Sequence, residues 1–172
     1  MSTLIVSIAE DATRVVTINK TTIAVDLGVS PKLPFNGAEV EQHIGTGLAT
    51  VEKRADGLYV DGRKIILHLS KHQMGGKWFK GYKLREELTG MPVLNANLLD
   101  ALYQNTHLIP EDYKRDEDRN IFFVFFWGSI FRGSRGFLCV RCLYFDVGGL
   151  RSRFRWLGRS WGGGDSAAVR AS

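Results

Sequence analysis

Apolar residues in the first seventy positions fall in short, β-branched runs, and these predict strands at residues 4–8, 15–18 and 22–27, separated by polar or turn-forming stretches. Two more runs, 57–60 and 63–69, flank Asp61-Gly62. An Asp-Gly pair in that setting predicts a two-residue hairpin, because a type I′ turn needs positive φ at both positions. Residues 30–37, with Pro31 and Pro34, read as a loop. After Ser70 the period lengthens. Residues 82–88 predict a short helix ended by Thr89-Gly90, where glycine can take the left-handed cap conformation. Asn95 predicts the cap of a second helix at 96–104, with Leu98, Leu99, Leu102 and Tyr103 on one face. Pro110 and the charged stretch 111–119 read as an exposed linker, and 121–132 as one long strand buried on both faces. Three further strands are expected at 137–145, 151–157 and 167–171, separated by Gly148-Gly149 and Gly162-Gly163-Gly164.

Strands, then two helices, then strands that can pair with earlier ones make an α+β fold, divided here into an N-terminal β-rich region, 1–65, and a C-terminal domain, 66–172. A chain of 172 residues, 44% hydrophobic and 24% charged, can bury one substantial core or two small ones, which argues against a disordered chain or a coiled coil. The longest apolar run, Ile121 to Trp127, is far shorter than the ~20 residues a membrane helix needs, so neither membrane insertion nor a cleaved leader is expected. Two cysteines cannot supply a disulfide framework.

The net charge of +5 is unevenly distributed. Residues 1–120 carry 15 Lys/Arg against 16 Asp/Glu, whereas 121–172 carry 8 against 2, and all eight basic residues there are arginine. Composition shifts at almost the same point. Ten residue types (Lys, Asn, Gln, Glu, His, Thr, Ile, Met, Asp and Tyr) have an adenine in every codon, and they fill 64 of the first 130 positions but only 3 of the last 42, namely Tyr144, Asp146 and Asp165. Folding does not demand this, since strands favour Thr and Ile and surfaces favour Lys and Glu.

That depletion, with the frame Phe126 to Arg132 (FWGSIFR), Leu138-x-Val140-Arg141-x-Leu143-Tyr144, Trp156-Leu157, Trp161 and the ending Ala167-Ala-Val-x-Ala-Ser172, resembles the variable proteins of diversity-generating retroelements. In that family a reverse transcriptase copies a template repeat with errors at adenines, and the copy replaces the 3′ end of the target gene. The resemblance implies a C-type lectin-like domain over 66–172 with a variable region at about 131–172, and two helices that fit the lectin order. It implies a non-enzymatic, receptor-recognising protein that binds a macromolecular ligand, a protein or cell-surface component of anionic character, through one exposed face. Phe145, Val147, Leu150, Arg151, Arg153, Arg155, Arg159, Ser160, Gly162, Gly163 and Asp165 are the candidate ligand-binding residues. A virion and a cell surface are both compatible locations. Trp127, Trp156 and Trp161 read as framework aromatics. On a strand Arg151, Arg153 and Arg155 share one face, and Arg153, Arg155 and Arg159 are each expected to tolerate serine.

Other chemistries find less support. Cys139-Val-Arg-Cys142 has metal-like spacing, with His68 and His72 as imaginable complements, but i and i+3 of a strand point to opposite faces. No metal or cofactor is therefore expected. Beyond Asn120 there is no Glu, Asn or Gln to build a lectin-type calcium site. His43 and His107 sit in unrelated loops, and no nucleophile setting or Gly-x-Gly-x-x-Gly turn is present. Two alternatives stand beside the family reading. An altered reading frame in a GC-rich gene would also give an Arg/Gly/Ser/Trp tail, although Arg151 to Trp156 keeps strand alternation. A basic nucleic-acid-binding domain would use arginines interleaved with aromatics, but it does not predict the missing lysine, threonine and isoleucine.

Overall fold

In a computed structural model, residues 15–115 and 120–172 are described; the strand expected at 4–8 lies outside them. The described residues form an α+β fold, mostly β-sheet with two α-helices. In chain order the elements are β1 (Val15–Asn19), β2 (Thr22–Asp26), β3 (Glu39–His43), β4 (Leu48–Arg54), β5 (Gly57–Val60), β6 (Arg63–His68), β7 (Phe79–Lys80), α1 (Gly81–Leu88), α2 (Ala96–Gln104), β8 (Phe123–Phe125), β9 (Ser129–Arg132), β10 (Leu138–Asp146), β11 (Gly149–Trp156), β12 (Ser160–Trp161) and β13 (Asp165–Arg170).

Where local chemistry decides, the pattern and the structure agree. Asp61 and Gly62 take φ of 49° and 76°, as the type I′ hairpin between β5 and β6 requires. Gly90 turns left-handed after α1. The Asn95 side chain accepts hydrogen bonds from the amides of Asn97 and Leu98, capping α2. Two features differ. The single strand expected at 121–132 is two strands, β8 and β9, parted at Phe126-Trp127-Gly128. Gly128 passes so close to the start of α2 that a Cβ there would meet Leu94 and Asn95 backbone atoms at 2.8–2.9 Å, and its amide donates to Leu94 O. Ile121 at this segment's start is exposed, not buried. Within the expected linker, Tyr113 is buried in a 3₁₀ turn, Glu111–Tyr113, and joins the core.

One eleven-stranded sheet runs β1-β2-β4-β5-β6-β13-β8-β10-β9-β3, with β11 paired to β10 off this path; β7 and β12 form a separate small ladder. β13 pairs antiparallel with β6 and parallel with β8, so the end of the chain lies at the middle of the sheet. The division expected at residue 65 falls inside β6, and the ladder passes through it. Packing also ignores it. Ile23, Val25, Val51, Leu58 and Val60 share one apolar cluster with Leu98, Leu99 and Leu102 of α2 and with Val124, Leu143 and Ala168. On the other face α1 contributes Leu84 and Leu88 to a cluster with Phe125, Trp127, Val140, Leu157 and Trp161.

Helix α2 is buried from Ala96 to Leu102 and carries polar groups inward. Asn97 Nδ2 donates to the carbonyls of Asp26, Leu27 and Val29, and Asn95 Nδ2 to those of Leu27 and Ile44. Asp100 forms a two-pronged ion pair with Arg141 of β10 at 2.8 and 2.9 Å, and both side chains are about nine-tenths covered. Removing one partner strands the other's charge. Asp100→Ala is expected to lower stability by about 3 kcal/mol or more in urea denaturation, and Asp100→Leu with Arg141→Met to recover most of that loss.

Candidate functional site

The β10–β11 hairpin organises the C-terminal surface. Its register pairs Val140, Cys142 and Tyr144 with Arg155, Arg153 and Arg151, and Arg141, Leu143 and Phe145 with Phe154, Ser152 and Leu150. Cross-strand partners share a face, so the second set lies on the α2 side and the three arginines lie on the opposite side. Asp146 accepts the Gly148 amide at 2.8 Å and pairs with Arg151, which closes the turn; these contacts hold its carboxyl below the ordinary aspartate range, the amide of Gly148 being the main cause.

The three arginines have different surroundings. Arg151 is exposed and paired with Asp146 at 3.2 Å. Arg153 is exposed, lies over the Tyr144 ring at 5.0 Å, and has no carboxylate partner among the described residues. Arg155 is drawn inward, contrary to the expectation of an exposed row. Its guanidinium meets Asp165 at 2.6 Å and sits among the rings of Phe123, Phe125 and Trp161, and the two side chains retain 22% and 6% of their exposure. Asp165 is part of the scaffold as well, since its carboxylate also accepts the Gly162 amide at 2.8 Å.

Other candidates also resolve into scaffold and surface. Phe145 and Leu150, a cross-strand pair, are partly buried and pack against the α2-side core, because odd-numbered side chains of β10 and their even-numbered partners on β11 face that way. Gly162 is buried. Its carbonyl and that of Asp165 accept from Gln73 Nε2 at 3.0 and 2.8 Å, and a Cβ on it would meet the Trp78 ring at 2.7 Å. A side chain there would have to push the Trp78 ring aside, and Gln73 is itself held by a capping box with Ser70. Val147, at the hairpin tip, is fully exposed; Arg159, Ser160 and Gly163 are exposed nearby. Among the sequence candidates, the displayed set is therefore Val147, Arg151, Arg153, Arg159, Ser160 and Gly163.

Sequence reasoning passed over Trp78, which is 69% exposed and stacked on Gly162, as well as Lys80 beside Gly158 and Lys32, which borders the hollow beside Ser152 and Phe154. The segment Gly75-Gly-Lys-Trp-Phe-Lys-Gly81 carried a signal: a tryptophan set in a Gly/Lys run is poorly placed for a core. Two open hollows follow β11. One of about 630 Å³ is bounded by Lys32, Pro34, Tyr103, Ser152 and Phe154, with the Asp100–Arg141 pair in its wall; the other, of about 580 Å³, by Lys80, Phe154, Trp156, Gly158 and Arg159.

Cys139 and Cys142 are buried in different apolar clusters, on opposite faces of β10. Burial pushes both thiols up to about 12, so neither is a thiolate at neutral pH. Among the described residues no group of three His, Cys, Asp or Glu side chains is placed to hold a metal, and no helix is long and apolar enough to cross a membrane.

No protein-family model, curated protein or solved structure matches this chain.

Two measurements check this geometry. Arg155→Ser leaves the Asp165 carboxylate buried without its cation and is expected to cost about 2–4 kcal/mol, whereas Arg153→Ser should stay within about 0.5 kcal/mol; thermal or urea unfolding reads both. Iodoacetamide at neutral pH should label neither thiol in the native protein and both in denaturant.

Proposed function

We propose that this protein is a diversified ligand-binding protein, a variable protein of a diversity-generating retroelement, with a C-type lectin-like arrangement in its C-terminal part that shares its core with the strands before residue 65. One observation carries the reading. The three adenine-requiring residues that survive in 131–172 all serve the scaffold: Tyr144 packs against Phe123 at 5.1 Å, Asp146 closes the hairpin turn, and Asp165 holds Arg155 and Gly162. A process that rewrites adenine codons while selection keeps the fold leaves this trace. The element order supports the lectin-like reading: two helices lie between β6 and the later strands, and β6 pairs with β13.

In this reading the scaffold is rigid and the exposed side chains choose the partner. Arg153 and Arg159 carry charge without an internal carboxylate partner, so they favour a protein or cell-surface component that offers carboxylates in a forked geometry. The function is recognition, without catalysis. The nucleic-acid alternative requires affinity for arbitrary DNA that falls steeply with salt and in proportion to the charge removed.

The reading is tested in the gene's own surroundings. A reverse-transcriptase gene and a near-duplicate of the segment encoding residues 131–172 are expected nearby, with mismatches confined to adenines of the duplicate. Codons for Val147, Arg151, Arg153, Arg159 and Ser160 should be among those that differ, and codons for Arg155 and Asp165 should not. Mismatches spread evenly over the four bases would overturn it.

A further inference from the structure

We infer that the free edge of β11 is a docking site for an extended, carboxylate-bearing polypeptide segment, which adds as a strand beside Ser152 and Phe154. This deepens the ligand-binding reading by naming the mode of recognition and the chemistry of the partner.

The edge is identified by hydrogen-bond parity. Among the described residues β11 pairs with β10 alone, in a continuous antiparallel register from Asp146↔Gly149 to Cys139↔Trp156. Leu157 N donates to Leu138 O at 2.9 Å one step beyond that ladder. Backbone bonding alternates along an antiparallel pair, so Arg155, Arg153 and Arg151 turn their amides and carbonyls toward β10, while Phe154, Ser152 and Leu150 turn theirs outward. Among the described residues, no backbone carbonyl outside the ladder accepts from these three amides. Both hollows lie along this outward side and meet at Phe154, leaving room for another chain.

Charge selects the occupant. Lys32 and Arg153 border the hollow beside Ser152 and Phe154, Lys80 and Arg159 border the one beyond Phe154, and none of these has a carboxylate partner among the described residues. The carboxylates Asp100, Asp146 and Asp165 are engaged by Arg141, Arg151 and Arg155. A second copy of β11 fits poorly, since antiparallel pairing of two such edges brings two Arg153 side chains together with no carboxylate to meet them, and like charges across strands destabilise. An acidic strand satisfies both the amides and the cations.

The test uses the full chain and a short, end-blocked, fluorescein-labelled peptide of alternating Glu and Val, read by anisotropy. Two further peptides carry N-methyl groups on the Glu amides or on the Val amides, with charge unchanged. A bound strand presents one alternate set of amides to β11, so one methylated peptide should lose about fivefold or more in affinity while the other keeps it. Ser152→Pro removes an outward amide and should weaken the parent peptide similarly; if that variant fails to fold by circular dichroism, the methylated pair still decides. Equal binding of all three peptides, or equal loss in both methylated ones, overturns the inference. So does displacement of the peptide by heparin or DNA in proportion to charge alone, or dimerisation that Ser152→Pro abolishes. A template repeat without peptide binding would remove the docking mode only, and peptide binding without a repeat would remove diversification only.

Discussion

Helix α2 and its cap bury Asn95, Asn97 and Asp100 almost completely, and the bonds those side chains make set the position of the chain around it. Asn95 and Asn97 hold the carbonyls after β2 and the carbonyl of Ile44 after β3. Ser129 Oγ, at the start of β9, accepts from Ala96 N and bonds to His43 Nδ1. Asp100 fixes Arg141 in the middle of β10. Strands from both ends of the chain are thus referenced to one short helix, and for this reason the N-terminal β region and the C-terminal strands have one shared core.

The same constraint shapes the surface. Eight arginines after residue 120 suggest a strongly basic tail, yet several are already engaged. Arg141 is held by Asp100, Arg155 by Asp165, Arg151 by Asp146, and Arg132 by Glu39 and Glu41 of β3. The charge that remains displayed near β11 belongs to Arg153 and Arg159, joined by Lys32 and Lys80 from the N-terminal half. Counting charges along the chain therefore overstates the available cation density and misplaces part of it. Unpaired cations beside an open edge also discourage self-pairing, so Arg153, Arg159 and the two lysines both protect the edge and select what can approach it.

Several of the corrections concern side chains whose burial depends on partners remote in sequence. Phe145 and Leu150 flank a turn and look exposed in one dimension; the pairing of β10 with β8 brings Leu143 and Phe145 over the α2 cluster. Gly162 looks like an arbitrary member of a glycine run until Trp78, from the opposite side of α1 and α2 in sequence, is found lying on it. β3, with the sequence EVEQH, has no apolar alternation to announce it and exists because β9 offers it an edge.

By itself the sequence determined what is decided within a few residues: the Asp61-Gly62 hairpin through its demand for positive φ, the ends of α1 and α2 through Gly90 and Asn95, the strand periods of β10, β11 and β13, and the compositional break near residue 131. Turn geometry, capping and side-chain period act over one to four positions, so they can be read along a line. Only the tertiary structure decided which arginines are buried, where the strand from 121 to 132 breaks, and that residues on both sides of position 65 share a core. Those outcomes follow from desolvation and ion pairing between residues tens of positions apart, such as Asp100 with Arg141, and no local pattern encodes which distant partner a buried charge will find.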